Sequence, residues 1–214
     1  MILPEVIALF PLPNVVLFPR MPLPLHVFEP RYRTMARDAL AGSRLVGMVL
    51  LRGDGRADHA GRPPVFATGT VGQIVHADEL ENGRYNIMLR GLETFRITCE
   101  EPPVRLYREA RVTWRADVHD ALTPARRDTI VTIVHRYLER IGRKPAPPSA
   151  LGRDVDDIAF VNFFAQHLEL DPLEKQALLE ETSTSARAAR LVDVLEFRLQ
   201  ELARSGSGTP GRAH

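Results

Sequence analysis

The groups with which covalent or metal chemistry could begin are seven histidines, one cysteine, two lysines and a few paired carboxylates. Histidines 26, 59, 76, 119, 135, 167 and 214 show no HExxH or other ligand spacing, so they do not describe a metal centre. His26 lies in an apolar stretch and reads as a packed strand histidine, and His135 and His167 as boundary residues of amphipathic helices. Asp154, Asp156 and Asp157 satisfy a helix start, where a cap and first-turn acids meet the positive end of the dipole. Cys99 precedes Glu100 and Glu101, and carboxylates disfavour the thiolate a nucleophile needs, so a buried or half-buried structural cysteine is expected. Ser149 stands in a proline-rich stretch that offers no rigid oxyanion site. Gly142-Arg143-Lys144-Pro145 lacks the upstream glycine and the Ser/Thr of a phosphate-binding loop. Glu79 and Glu81 fall in a hairpin turn. The expectation is a chain with no catalytic residues, no metal and no cofactor.

Binding chemistry has better candidates. From Phe10 to Pro30 apolar residues and prolines alternate. Proline has no N–H and a fixed φ, so this stretch must run as edge strands and bends over an apolar surface. It is too rich in Leu, Val and Phe to stay in water. Most of these side chains close the sheet they lie on. Their remaining exposed edges can border a groove for an extended peptide, with Arg20, Met21, Leu23, His26, Phe28 and Tyr32 as the candidate peptide-binding residues. A second candidate is one strand face carrying Arg105, Tyr107, Arg111 and Arg115, the arginine-plus-aromatic composition used on RNA. Glu109 interrupts it, so nucleic acid is the lesser alternative.

The elements that position these residues change character near residue 118. Leu45–Leu51 is a nearly all-apolar run suited to a strand buried on both faces. Val65–Val75 reads as a long strand, with Gly69 and Gly72 suiting a bulge. Asn82-Gly83 marks a hairpin, after which Tyr85, Ile87 and Leu89 share one face. In a later strand Leu106, Ala110, Val112 and Trp114 are expected inside, and Arg105, Tyr107, Glu109, Arg111, Thr113 and Arg115 outside. One helix interrupts the strands, starting at Pro30, burying Tyr32, Met35, Ala36 and Ala39, and stopping at Gly42. Short antiparallel strands with one helix argue for a small closed sheet, because closure removes exposed edges.

The second part is helical. Thr123-Pro124 opens a helix with Ile130, Ile133, Val134, Tyr137, Leu138 and Ile141 on one stripe. Asp154 is the expected cap of a helix reaching His167, with Ile158, Val161 and Phe164 inward. Asp171-Pro172-Leu173-Glu174 has capping-box character. A last helix spans about 185–202, with Ala188, Leu191, Leu195, Leu199 and Leu202 inward. The organisation expected is α+β: a β-barrel over 1–118, a helical bundle over 119–203 that lets four apolar stripes bury one another, and a flexible tail over 204–214.

Bulk properties agree with a single soluble molecule. With 44% hydrophobic residues, 214 residues build a real core, and a net charge of +1 gives no field toward nucleic acid or membrane. A lone cysteine, no basic leader and no membrane-length apolar run point to the cytoplasm.

The run Phe10–Tyr32 resembles the entry motif of the Lon protease amino-terminal domain family, also called the LON substrate-binding domain. Thr70-Val71-Gly72-Gln73-Ile74 with Arg90-Gly91-Leu92-Glu93-Thr94-Phe95-Arg96-Ile97, and then Asp171 to Glu180, follow in family order. The resemblance implies a PUA-like barrel, a stand-alone form without ATPase or protease parts, and recognition of unfolded or extended polypeptide, with a protease system as a further partner. The family often has glycine where this chain has Arg20, so a strained turn is expected there.

Overall fold

The computed structural model describes residues 3–53, 62–118, 120–144 and 155–206. His59, His119, His214, Ser149 and Asp154, with the stretch 145–154 and the tail beyond 206, lie outside the described residues.

Among the described residues, six strands and a first α-helix come first: β1 (Val6–Leu12), β2 (Pro22–Val27), α1 (Pro30–Ala41), β3 (Leu45–Leu50), β4 (Thr68–Glu79), β5 (Tyr85–Glu100) and β6 (Arg108–Arg115). Four helices follow: α2 (Pro124–Arg140), α3 (Asp157–His167), α4 (Pro172–Glu180) and α5 (Thr184–Gly206). The pairings form a cycle. β1 runs parallel to β3, and the pairs β3–β4, β4–β5, β5–β6 and β6–β1 are antiparallel. β2 adds to the outside of the cycle, antiparallel to β5 and, among the described residues, to no other strand.

Side-chain alternation explains the cycle. One apolar cluster takes residues from all five of its strands: Ile7 and Leu9, Leu45 and Val49, Val71, Phe95, and Ala110 with Val112. The opposite parity of β1 and β3 (Phe10, Val46, Met48) packs with Tyr32, Met35 and Ala36 of α1, and Ile87 and Leu89 of β5 join them because the register shift opposite Val71/Gly72 exchanges the faces of β5 between them and Phe95. β3 therefore has every residue buried, as its unbroken apolar run requires. Gly72 sits at a register shift in β4, and the Asn82-Gly83 turn takes positive φ at both residues.

The helices start where local chemistry places them. Thr123 accepts the Arg126 N–H at the start of α2, and Asp171 N–H donates to Glu174 Oε2 (2.8 Å) in a capping box on α4. The cap of α3 is Asp156, which accepts from Ala159 N, rather than Asp154. α5 runs on to Gly206, so 204–206 are helical where a tail was expected. α2, α3 and α4 each pack on α5. Their common core also holds Val16, Phe18, Met21 and Leu50 from the strand-rich part.

The last strand corrects the expected pattern. β6 begins only at Arg108, and residues 101–107 form a loop. Alternation does not extend into a loop, so Leu106 is 71% exposed and Tyr107 is 7% exposed, the reverse of the expected faces. Cys99, expected buried or half-buried, is exposed near the end of β5. Among the described residues no helix is long and apolar enough to cross a membrane.

Candidate recognition surface

The proline-rich segment is held at three places before it becomes β2. Phe18-Pro19-Arg20-Met21 is a tight turn, with Met21 N–H donating to Phe18 O (3.2 Å). Proline second and a positive φ third make it type II, and the third residue is Arg20, at φ 68°. The turn is tied to β5 by Arg20 N–H donating to Gly91 O (2.7 Å) and Gly91 N–H donating to Met21 O (2.9 Å). A Cβ at Gly91 would fall against the Phe18 carbonyl, well inside van der Waals contact, so only glycine allows this approach.

α3 clips the segment from the other side. Asn162 and Gln166 are one helical turn apart and point the same way. Asn162 Nδ2 donates to Pro19 O (3.0 Å). Gln166 accepts from Phe18 N–H (3.0 Å) and donates to Pro22 O (2.7 Å). Asp156, capping the same helix, pairs with the Arg20 guanidinium.

Beyond the clip, β2 forms an edge strand with prolines at alternate positions 22 and 24. An edge missing these N–H donors is poorly suited to adding a further strand. Recognition here must use side chains on the sheet face. Three strands align their outward residues in rows: His26 opposite Asn86 opposite Asp78, and Pro24 opposite Met88 opposite His76. They line an open, largely apolar groove of about 310 Å³ whose floor includes Leu25 and Ile87. His26 Nδ1 meets Asn86 Oδ1 at 2.7 Å, and His76 Nε2 meets Asp78 Oδ2 at 3.0 Å, so both rings are oriented. Phe28, 58% exposed, stacks on His26 with ring centroids 6.0 Å apart. The groove lining joins Pro24, Leu25, Ile87 and Met88 to His26, His76, Asp78 and Asn86, which offers apolar and hydrogen-bonding contact.

The six candidate peptide-binding residues divide. His26 and Phe28 are on the surface at this groove. His26 is therefore exposed on its strand, not packed inside as expected. Leu23 is half-buried against the α1 cluster, and Arg20 is half-buried in the turn, beside the groove rather than in it. Met21 (6% exposed) and Tyr32 (5% exposed) are core residues, and the Tyr32 hydroxyl donates to Pro11 O. Residues 86, 88 and 76 were missed. The available signal was a methionine on the wet parity of β5, opposite in phase to Tyr85, Ile87 and Leu89.

The arginine-rich candidates do not share one free face. Arg105 donates to Asp38 (2.7 Å) and lies near Glu109, and the buried Tyr107 hydroxyl donates to Asp38 (2.9 Å). Burial, aided by that bond, pushes the Tyr107 phenol up to about 12. Arg111 pairs with Glu5 and Glu101. Arg115 donates to Thr68 Oγ1 and Glu180 O. Among the described residues no group of three or more His, Cys, Asp or Glu is placed to hold a metal ion.

A strand cycle joined to a helical layer through a clipped proline-rich segment is an architecture with known relatives. The chain matches the family model described as the ATP-dependent protease La (LON) substrate-binding domain over residues 6–196, and it belongs to that family. Lon protease 2 of Syntrophobacter fumaroxidans is 29% identical over 94% of this chain and 25% of its own length. The Lon protease of Paraburkholderia phytofirmans is 28% identical over 97% of this chain and 26% of its own. The chain thus spans about a quarter of the length of the curated relatives it matches. Among solved structures, a Lon N-terminal domain protein from Xanthomonas campestris superposes with a TM-score of 0.65 at 25% identity, covering 88% of this chain and 97% of that one. The N-terminal domain of a Mycobacterium avium complex Lon protease gives 0.68 at 16% identity, covering 90% and 98%.

Proposed function

We propose that this chain is a non-catalytic recognition module that takes extended apolar segments of polypeptide, acting in the cytoplasm with a proteolytic system. In this reading the strand cycle is a PUA-like barrel ending near residue 118, and the helices form a bundle that fixes the proline-rich segment from behind. The observation that carries the reading is the open apolar groove over Pro24, Ile87 and Met88, flanked by the exposed Phe28. Membership of a substrate-binding family supports it. A bound segment would gain by burying apolar side chains against Met88 and Phe28, since burying one such side chain fully contributes roughly 1.5–3 kcal/mol. Methionine lets the floor adapt to different side chains.

Fluorescently labelled extended peptides with one large apolar residue test the reading. Saturable binding is expected, weakened several-fold by Phe28→Ala and by Met88→Ala in proteins whose melting temperature is unchanged. Loss of saturable binding to every such peptide in a folded protein would end it.

A further inference from the structure

We infer that the recognition surface prefers segments in which a large apolar residue and a carboxylate are separated by about two residues. This rests on the polypeptide-recognition reading above and adds the chemistry of a second anchor. The same sheet face continues past the groove. Along β5 the outward positions are Asn86, Met88 and Arg90. Pro22 of β2 and Gln73 of β4 stand opposite Arg90, as Pro24 and His76 stand opposite Met88. Alternate positions on a strand are about 7 Å apart, so Arg90 is one side-chain step from the groove floor.

At that step lies a second open depression of about 320 Å³, whose lining includes Arg20, Gln73, Arg90, Leu92 and Glu93. Arg20 is engaged by Asp156, and Glu93 has an interaction of its own. Arg90 is exposed and, among the described residues, has no carboxylate partner. Its guanidinium is a planar fork matched to a carboxylate, and Gln73 beside it adds an amide donor. The far end of the face carries Asp78, which repels a carboxylate. An anionic group on a bound segment is therefore directed to the Arg90 end. Two sources supply the same chemistry, an Asp or Glu side chain and a chain terminus.

Three labelled peptides with the same apolar anchor separate the possibilities by fluorescence anisotropy. One carries Asp two residues from the anchor with an amidated end, one carries Asn there with an amidated end, and one ends two residues after the anchor in a free carboxylate. The Asp peptide, the free-carboxylate peptide or both should bind about tenfold tighter than the Asn amide, and which of them does so identifies the source. Arg90→Ala and Arg90→Gln should both remove the advantage, Arg90→Glu should transfer it to a Lys peptide, and Arg96→Ala should leave it intact. Equal binding of all three peptides, or an advantage that survives both neutral substitutions, overturns the carboxylate inference while the recognition reading stands. Failure of all three to saturate a folded protein overturns both.

Discussion

Arg20 occupies a left-handed position that costs a residue with a Cβ about 1 kcal/mol. What it gains is the pair with Asp156, half-exposed and worth about 0.2–1 kcal/mol. The two nearly cancel, and the comparison of two variants separates them. Arg20→Ala loses the pair and keeps the strain, so its melting temperature should fall. Arg20→Gly loses the pair and the strain, so it should unfold at or above the parent temperature. Equal destabilisation by both would show that the turn is not strained. Arg187 is the opposite case, a fully buried charge. At 1% side-chain exposure it pairs with both Asp117 oxygens (2.9 Å each) and donates to Asn162 Oδ1, Leu178 O and Glu181 O. Removing one partner of a buried pair strands the other, so Asp117→Ala should cost about 3–5 kcal/mol in denaturant unfolding. A hint was legible, because Arg187 lies one turn before Leu191 on the apolar stripe of α5. Its partners were not, since Asp117 is 70 positions away.

At the scale of elements, α3 and α5 each depend on a residue outside themselves. Through Gln166, α3 holds the Phe18 N–H and the Pro22 carbonyl, and through Lys175, whose Nζ donates to Gln166 O (2.6 Å), it is tied to α4. Burial pushes the Lys175 ammonium down from its ordinary value. Gln166→Ala should cost about 1–3 kcal/mol, because it leaves the Phe18 N–H unpaired, and hydrogen exchange at Phe18 should accelerate. The start of α5 is anchored by Asp120, which accepts from the Ser183 and Ser185 hydroxyls and from Ser185 N–H. Burial opposes ionisation there, but these hydrogen bonds outweigh it and hold the carboxyl down at about 2. A carboxyl depressed in the folded state contributes stability above its unfolded pKa and loses it as pH falls through the folded one. Stability should therefore decline between about pH 4 and about pH 2, and Asp120→Asn should flatten that part of the profile. The helix starts at Thr123 and Asp171 were readable from neighbouring residues. Asp120 acting across 65 positions on α5 was not.

At the scale of the molecule, the two parts share a core. Val16, Phe18, Met21 and Leu50 are buried among helix side chains, although each belongs to the strand-rich part. Residues 1–118 expressed alone would expose these four to water, a loss of several kcal/mol. The fragment should bind a hydrophobic dye and lack a sharp thermal transition. A fragment melting cooperatively at the parent temperature would show the halves to be independent.

Short-range chemistry was written in the order of residues. An unbroken apolar run placed β3, alternation placed the first half of β5, capping residues placed α2 and α4, and the proline-rich entry marked both the family and the segment on which the fold turns. These depend on neighbours a few positions apart, where spacing and backbone preference act directly. Strand ends were less legible, and the phase of residues 105–107 was misread because alternation holds only while the chain stays extended. The surface itself needed tertiary contact. His26, Asn86 and Asp78 meet only because β2, β5 and β4 pair in one register, Met21 leaves the surface because helix side chains cover it, and Tyr32 because α1 lays it against the strands. Such contacts are set by packing between segments far apart in the chain, which no local pattern encodes.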